Sequence, residues 1–201
     1  MLIVFDLDHT LFDALKFKDA LAECFTFKEG GFIKSYRKYF GKFKENFNPY
    51  KHVSYLISEG KIDSGNGQKI KIQIINLLKR ADNFVFSGAE SILENLKEGD
   101  RELVLLTFGD IVWQKMKIKN LAIKNYFNRI IITDKSKITA LDAYKNYSGR
   151  KIMINDNAQE NKALKKELPD WEIYLVDGPY ADVVEHGFKK YTLKQVLKHL
   201  I

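Results

Sequence analysis

The chain has 201 residues, is 45% hydrophobic, and carries 33 Lys and Arg against 26 Asp and Glu, a formal net charge of +7. That length is enough for a core domain plus an insertion, while the single cysteine, Cys24, excludes an internal disulfide and suits a reducing compartment. No run of about 18 apolar residues is present to span a bilayer, and a cleavable leader would remove the acids described next, so a cytoplasmic location with no membrane partner is expected.

The first predicted element is a buried strand of a parallel sheet, Leu2 to Phe5, four apolar residues in a row. It runs directly into Asp6, Asp8 and Thr10. Unpaired buried charge is costly, so an apolar strand that ends on two carboxylates needs a compensating partner. A hard cation such as Mg²⁺ seeks oxygen ligands and is one such partner. An acid held against a metal can attack phosphorus as a carboxylate nucleophile, and a second acid two residues on can exchange a proton with the leaving group. In open α/β sheets such chemistry sits at the carboxyl ends of strands.

Residues 14–86 lack strand–helix alternation and read as helices over about 14–27, 31–44, 49–59 and 67–80. The breaks are Gly30-Gly31, Asn48-Pro49 and the run from Ser64 to Gly67. This stretch holds 14 Lys and Arg against 7 Asp and Glu, whereas the remaining 19 basic and 19 acidic residues cancel, so the whole excess of +7 lies here. It is also rich in aromatics, including Phe17, Phe25, Phe27, Phe47, Tyr50 and Tyr55. Helical spacing of Phe32, Tyr36, Tyr39, Phe40 and Phe43 predicts a buried face, with Lys34, Arg37, Lys38, Lys42 and Lys44 opposite. The basic face could steer an anionic substrate or, with exposed aromatics, track single-stranded nucleic acid. Cys24 falls in an apolar helical stretch and reads as packing.

A second strand, Glu102 to Thr107, closes on a hydroxyl and is followed by Phe108, Gly109 and Asp110. A strand-end hydroxyl and the free N–H groups of a following helix suit phosphate oxygens, and Asp110 can cap that helix. Lys115, Lys117 and Lys119 on it are expected to face solvent. A third strand begins at Ile130, with a helix starting near Ser136 that places Lys137 in its first turn. A fourth, Lys151 to Asn155, ends at Asp156 and leads through Asn157 into a helix holding Glu160 and Asn161. Tyr191 to Ile201 reads as a closing amphipathic helix.

Taken together, Asp6-x-Asp8-x-Thr10, the Thr107 strand end, the lysine near Ser136 and the Asn155-Asp156 strand end resemble the four motifs of the haloacid dehalogenase superfamily. The resemblance covers residue 1 to about residue 180. It implies a Rossmann-like α/β core with a parallel sheet and helices on both faces, over 1–13 and 87–201. An all-helical C1-type cap would occupy 14–86 and close over the site. It further implies a Mg²⁺-dependent phosphomonoester hydrolase acting on a small phosphorylated metabolite or nucleotide. Asp6 would be the nucleophile, Asp8 the acid and base, and Thr107 and Lys137 the holders of the phosphoryl oxygens, with Phe108 and Gly109 beside the substrate. Metal ligands would be Asp6, the main-chain carbonyl of Asp8, and Asp156. Lys137 matches the family position, and Lys135, two residues earlier, is the alternative. Asn155 departs from the Gly or Asp usual in the family, and its amide could hold a metal-bound water without adding charge; the outer role beyond the metal falls to Glu160 or Asn161. Asp8 argues for phosphoryl transfer, because the dehalogenases of the family lack this second acid. A phosphomutase on the same scaffold and a basic nucleic-acid-binding module with a vestigial site are the other readings. The sequence does not fix an oligomeric state.

Overall fold

A computed structural model of the chain describes residues 1–25, 31–43, 46–182, 184 and 187–200, and side chains within those ranges other than those of 40–43. In chain order the elements begin with β1 (Leu2–Phe5), α1 (Ala14–Cys24), α2 (Gly31–Phe43), α3 (Pro49–Ser58), α4 (Ser64–Leu78) and α5 (Ala89–Lys97). There follow β2 (Glu102–Phe108), α6 (Ile111–Lys119), β3 (Arg129–Thr133), α7 (Lys137–Leu141) and β4 (Lys151–Asn155). The chain closes with α8 (Ala158–Glu167), β5 (Glu172–Val176), β6 (Lys190–Tyr191) and α9 (Leu193–Leu200). Their contacts divide the chain into two compact units. One comprises Met1–Asp13, Val85–Phe108 and Ala122–Ile201; the other comprises Ala14–Phe84 and Gly109–Leu121.

The first unit is built on a six-stranded sheet of order β3-β2-β1-β4-β5-β6 in which every pairing is parallel. All four residues of β1 are 0% exposed, as expected of a central strand covered on both faces. Alternation sends Leu2 and Val4 to one face, where they join a core with Leu141 of α7, Leu164 of α8 and Trp171. Burying side chains of this size contributes roughly 1.5–3 kcal/mol each relative to exposure. Ile3 and Phe5 take the opposite face, Phe5 meeting the ring of Phe127 edge-on at 6.2 Å. The expected C-terminal helix is α9, which buries Val196 and Leu200.

The second unit is helical. The buried face expected of α2 is present at Phe32 and Tyr39, while Lys34, Arg37 and Lys38 are exposed. Phe27, Lys44 and the side chains of Phe40, Lys42 and Phe43 lie outside the described residues. At the centre of the unit is His52, 0% exposed, ringed by Phe25, Phe32, Tyr39 and Phe47. Its Nε2 shares a 2.9 Å hydrogen bond with Ser35 Oγ, and its Nδ1 has no partner. Burial pushes this imidazole down from 6.5 to about 4. Cys24 is buried and free.

Two expectations need correction here. The Ser64–Gly67 run is the first turn of α4, not a break, because Asp63 caps the helix by accepting from Asn66 N at 2.8 Å. Gly67 serves packing, since a Cβ there would stand 2.5 Å from Ile57 Cδ1. Lys117, expected in solvent, is 4% exposed, because α6 belongs to the helical unit. Trp113 of α6 lies 6.0 Å from the Phe17 ring and 6.4 Å from that of Tyr50. Asp110, the N-cap of α6, accepts from Asn48 Nδ2 at 2.9 Å and pairs with Lys51 at 3.2 Å. The contact-based units therefore divide the chain differently from the sequence expectation of 1–13 with 87–201 and 14–86.

Candidate active site

Parallel register brings three strand ends together. Phe5 of β1 pairs with Leu105 of β2 on one side and Ile154 of β4 on the other. Asp6 follows Phe5, its N–H donating to Ile154 O at 2.9 Å. Thr107 and Asp156 each stand two residues beyond those partners. The order 3-2-1-4-5-6 reverses direction at β1, where such sheets hold ligands at their carboxyl edge. Asp6, Thr107 and Asp156 are 5%, 1% and 2% exposed.

Ser136 caps α7 by accepting from Ile138 N, which places Lys137 at its first position. Lys137 Nζ lies 2.8 Å from Asp6 Oδ1 and 2.8 Å from Glu160 Oε2, and donates to Asn155 Oδ1 at 3.3 Å. Lys135 is exposed, and Lys137 is the one of the two whose ammonium lies against Asp6. Burial alone would pull the ammonium down, but the charges of Asp6 and Glu160 outweigh it and hold its proton more firmly than usual.

Asn155 is tied into a buried side-chain network. Its amide donates to Glu160 Oε2 at 3.1 Å and to Asn161 Oδ1 at 2.9 Å, while its oxygen accepts from Lys137. With both groups engaged and the residue 0% exposed, it ties Lys137 to Glu160 and Asn161. Asn161, also 0% exposed, donates back to Asn155 O at 3.3 Å. Of the two outer candidates, Glu160 is the one whose carboxylate reaches the lysine.

The acids themselves are held under tension. Burial raises Asp6 from 3.8 to about 6 against the opposing pull of Lys137, with Glu160 and Asp8 adding repulsion. Asp156 is raised to about 7, first by burial and then by Asp6. Its Oδ2 is buried with no hydrogen-bond partner, and a Cβ on Gly178 would stand 3.2 Å from that oxygen. Two neighbouring buried carboxylates, one with an orphaned oxygen, suit a hard divalent cation, which would favour ionisation of both. Among the described residues, no three His, Cys, Asp or Glu side chains gather so as to hold a metal by themselves.

Asp8 lies in a tight loop with a parallel bridge to Phe12. His9 N donates to Phe12 O at 2.7 Å, and the N–H groups of Leu11 and Phe12 both donate to Leu7 O at 2.9 Å. Thr10 Oγ1, fully buried in this loop, has no partner. Phe108 is 43% exposed and lines a cavity of about 290 Å³ with Lys135, Ser136, Lys137, Ile138 and Glu160. Gly109, the remaining expected substrate contact, begins the segment that groups with the helical unit, its φ of 150° bringing the backbone against Gln114. The sequence reading missed Gly178 and His9. The first carries no signal beyond a glycine after a strand; the second sits where a positive φ would have been expected of glycine.

The family model of the haloacid dehalogenase-like hydrolases matches residues 3–167. No curated protein matches the sequence. Among solved structures, a haloacid dehalogenase-like hydrolase from Burkholderia xenovorans is 20% identical, with 98% of this chain and 94% of that one covered at a TM-score of 0.75. A 2-haloacid dehalogenase from Pseudomonas syringae is 16% identical, covering 99% and 97% at 0.67. A protein assigned as a β-phosphoglucomutase from Thermotoga maritima is 15% identical, covering 99% and 97% at 0.65. At these identities the structural likeness establishes the fold, and the family match over most of the chain, agreeing with the strand-end acids and Lys137, shows that the chain belongs to the haloacid dehalogenase-like hydrolases.

Proposed function

We propose that the protein is a Mg²⁺-dependent phosphomonoester hydrolase that works through an aspartyl-phosphate on Asp6. The observation that carries this reading is the buried pair of Asp6 and Asp156, with Lys137 on the first and an orphaned oxygen on the second. Asp6, Asp156 and the main-chain carbonyl of Asp8 would hold the cation. When bound, it would supply charge that offsets the two carboxylates and the phosphate. Asp6 attacks phosphorus in line; the Asp6–phosphorus bond forms as the phosphorus–oxygen bond to the alcohol breaks. Asp8 gives its proton to that departing oxygen, then takes one from the water that hydrolyses the acyl phosphate. Thr107 and Lys137 hold the phosphoryl oxygens, and Glu160 and Asn155 keep Lys137 directed at Asp6. Phosphomonoester hydrolysis is among the slowest uncatalysed reactions, with accelerations up to ~10²¹-fold, which fits a site built from fixed charges.

Asp8 supports phosphoryl transfer over dehalogenation, which needs no second acid two residues after the nucleophile. In the helical unit Phe17, Phe25, Phe32, Tyr39 and Tyr55 are buried, whereas Tyr36, Phe47 and Tyr50 are partly exposed. A small phosphorylated metabolite or nucleotide remains the substrate class. The test is phosphate release from an aryl phosphate with and without Mg²⁺, comparing the native chain with Asp6→Asn. Mg²⁺-dependent release that disappears in the variant supports the proposal. Transfer of phosphate between two positions of one sugar phosphate, without release, would move the reading to a mutase.

A further inference from the structure

His9 is, among the described residues, the one non-glycine with a positive φ, 64°. Left-handed backbone is natural for glycine and disfavoured for a side chain of this size. Its loop requires that conformation, because the His9 N–H closes onto Phe12 O while the following amides fold back on Leu7 O. The imidazole is half-buried and meets the ring of Tyr180 edge-on, with centroids 5.3 Å apart and planes at 71°. Tyr180 is 44% exposed, so its ring is not held by a core. Its backbone, however, is anchored: Tyr180 O accepts from Ala158 N at 3.1 Å, at the start of the helix that follows Asp156. Ala181, next in sequence, is 0% exposed and packs with Ala158 and Leu175, and Ala181 N donates to Gly178 O at 3.1 Å. Gly178 is the residue pressed against the Asp156 side chain.

The ring pair thus joins two loops that are not neighbours in the sheet, the one after β1 that carries Asp8 and the one after β5 that backs Asp156, with β4 and its Asp156 end between them. We infer that His9 and Tyr180 are positioning residues, a clamp that sets the Asp8 carbonyl and the Asp156 carboxylate at the spacing a divalent cation needs. The unfavourable backbone at His9 is retained because glycine, which fits the loop better, would leave the two loops unlinked. This rests on the hydrolase reading above, since it acts through the proposed ligands.

The experiment measures Mg²⁺ binding by titration calorimetry, together with thermal stability and aryl phosphate turnover, for the native chain, His9→Gly, His9→Asn, Tyr180→Ala, Tyr180→Phe and the double variant His9→Gly/Tyr180→Ala. His9→Gly is expected to unfold at the same or a higher temperature, while its Mg²⁺ dissociation constant rises about tenfold. His9→Asn tolerates the backbone but lacks the ring, and should weaken Mg²⁺ similarly; Tyr180→Phe keeps the ring and should restore binding to within about twofold of native. Because the rings act as one unit, the double variant should lose no more than either single one. Native-like Mg²⁺ affinity in His9→Gly, or losses that multiply in the double variant, would overturn the clamp and leave the hydrolase reading standing. A native chain that neither binds Mg²⁺ nor releases phosphate would overturn both.

Discussion

Acid should loosen the helical unit through one residue, His52. Its ring is 0% exposed among four aromatic rings, and its Nδ1 has no acceptor within reach. Protonation would create a buried N–H bearing charge with nothing to receive it. The folded value is about 4 against 6.5 in the unfolded chain. Above pH 6.5 both states are neutral and the residue adds no pH dependence. As pH falls below 6.5 the unfolded chain takes up the proton first, so stability drops until the folded state also protonates near pH 4, where the loss levels off. A gap of this size corresponds to about 3 kcal/mol at full extent, and about 2.5 kcal/mol by pH 4.5. The chain has two tryptophans, Trp113 in the helical unit and Trp171 in the sheet unit, so Trp171→Phe leaves a single reporter of helical unfolding. Urea titrations of that background, with and without His52→Phe, at pH 7 and pH 4.5 isolate the term. The phenylalanine should remove it, and Ser35 Oγ keeps its 3.0 Å bond to Phe32 O. Equal losses of stability in the two proteins between those pH values would refute the argument.

Replacing Lys137 by Met leaves Asp6, Asp156 and Glu160 without their buried cation. The expected loss in kcat on an aryl phosphate is roughly 10²–10³-fold, whereas Lys135→Ala should stay within about twofold. Asp156→Asn should raise the Mg²⁺ dissociation constant by at least about tenfold in calorimetry; chelation should abolish turnover of the native chain, and added Mg²⁺ should restore it. Asn48 caps α3 by accepting from Tyr50 N and Lys51 N, and it donates to Asp110. Asn48→Ala should therefore destabilise the helical unit by about 1–3 kcal/mol, read by Trp113 fluorescence during urea unfolding.

The sheet unit was legible because a short apolar strand that stops on a polar residue records both its burial and its end. Leu2–Phe5 and Lys151–Asn155 carry Asp6 and Asp156 to one edge by parallel register alone. Ser136 signalled the start of α7, and with it the lysine that faces the site. Other features depend on contacts between distant segments, which local pattern does not encode. The buried amide exchange of Asn155 with Asn161 and Glu160 is not legible in the sequence, because it depends on how the end of β4 meets the first turn of α8. His52 carries no distinguishing sequence signal, and only the folded unit shows the aromatic shell around it. The grouping of α6 is likewise a matter of contacts, since its place after β2 points to the sheet while Trp113 and Asp110 meet residues of the helical unit.

That last point changes how the helical unit can be handled as a part. It is assembled from two separate stretches, Ala14–Phe84 and Gly109–Leu121, so the chain crosses between units four times instead of twice. Excising the long stretch alone would strip Trp113 and Asp110 of their partners and leave the buried face of α6 uncovered on the shortened chain. Exchange of the helical unit between relatives, by recombination in nature or in the laboratory, should therefore succeed only when both stretches travel together. The thirteen-residue piece after β2 then behaves as an inherited companion of the insertion, and its sequence should change in step with α1 and α3 and not with the sheet it interrupts.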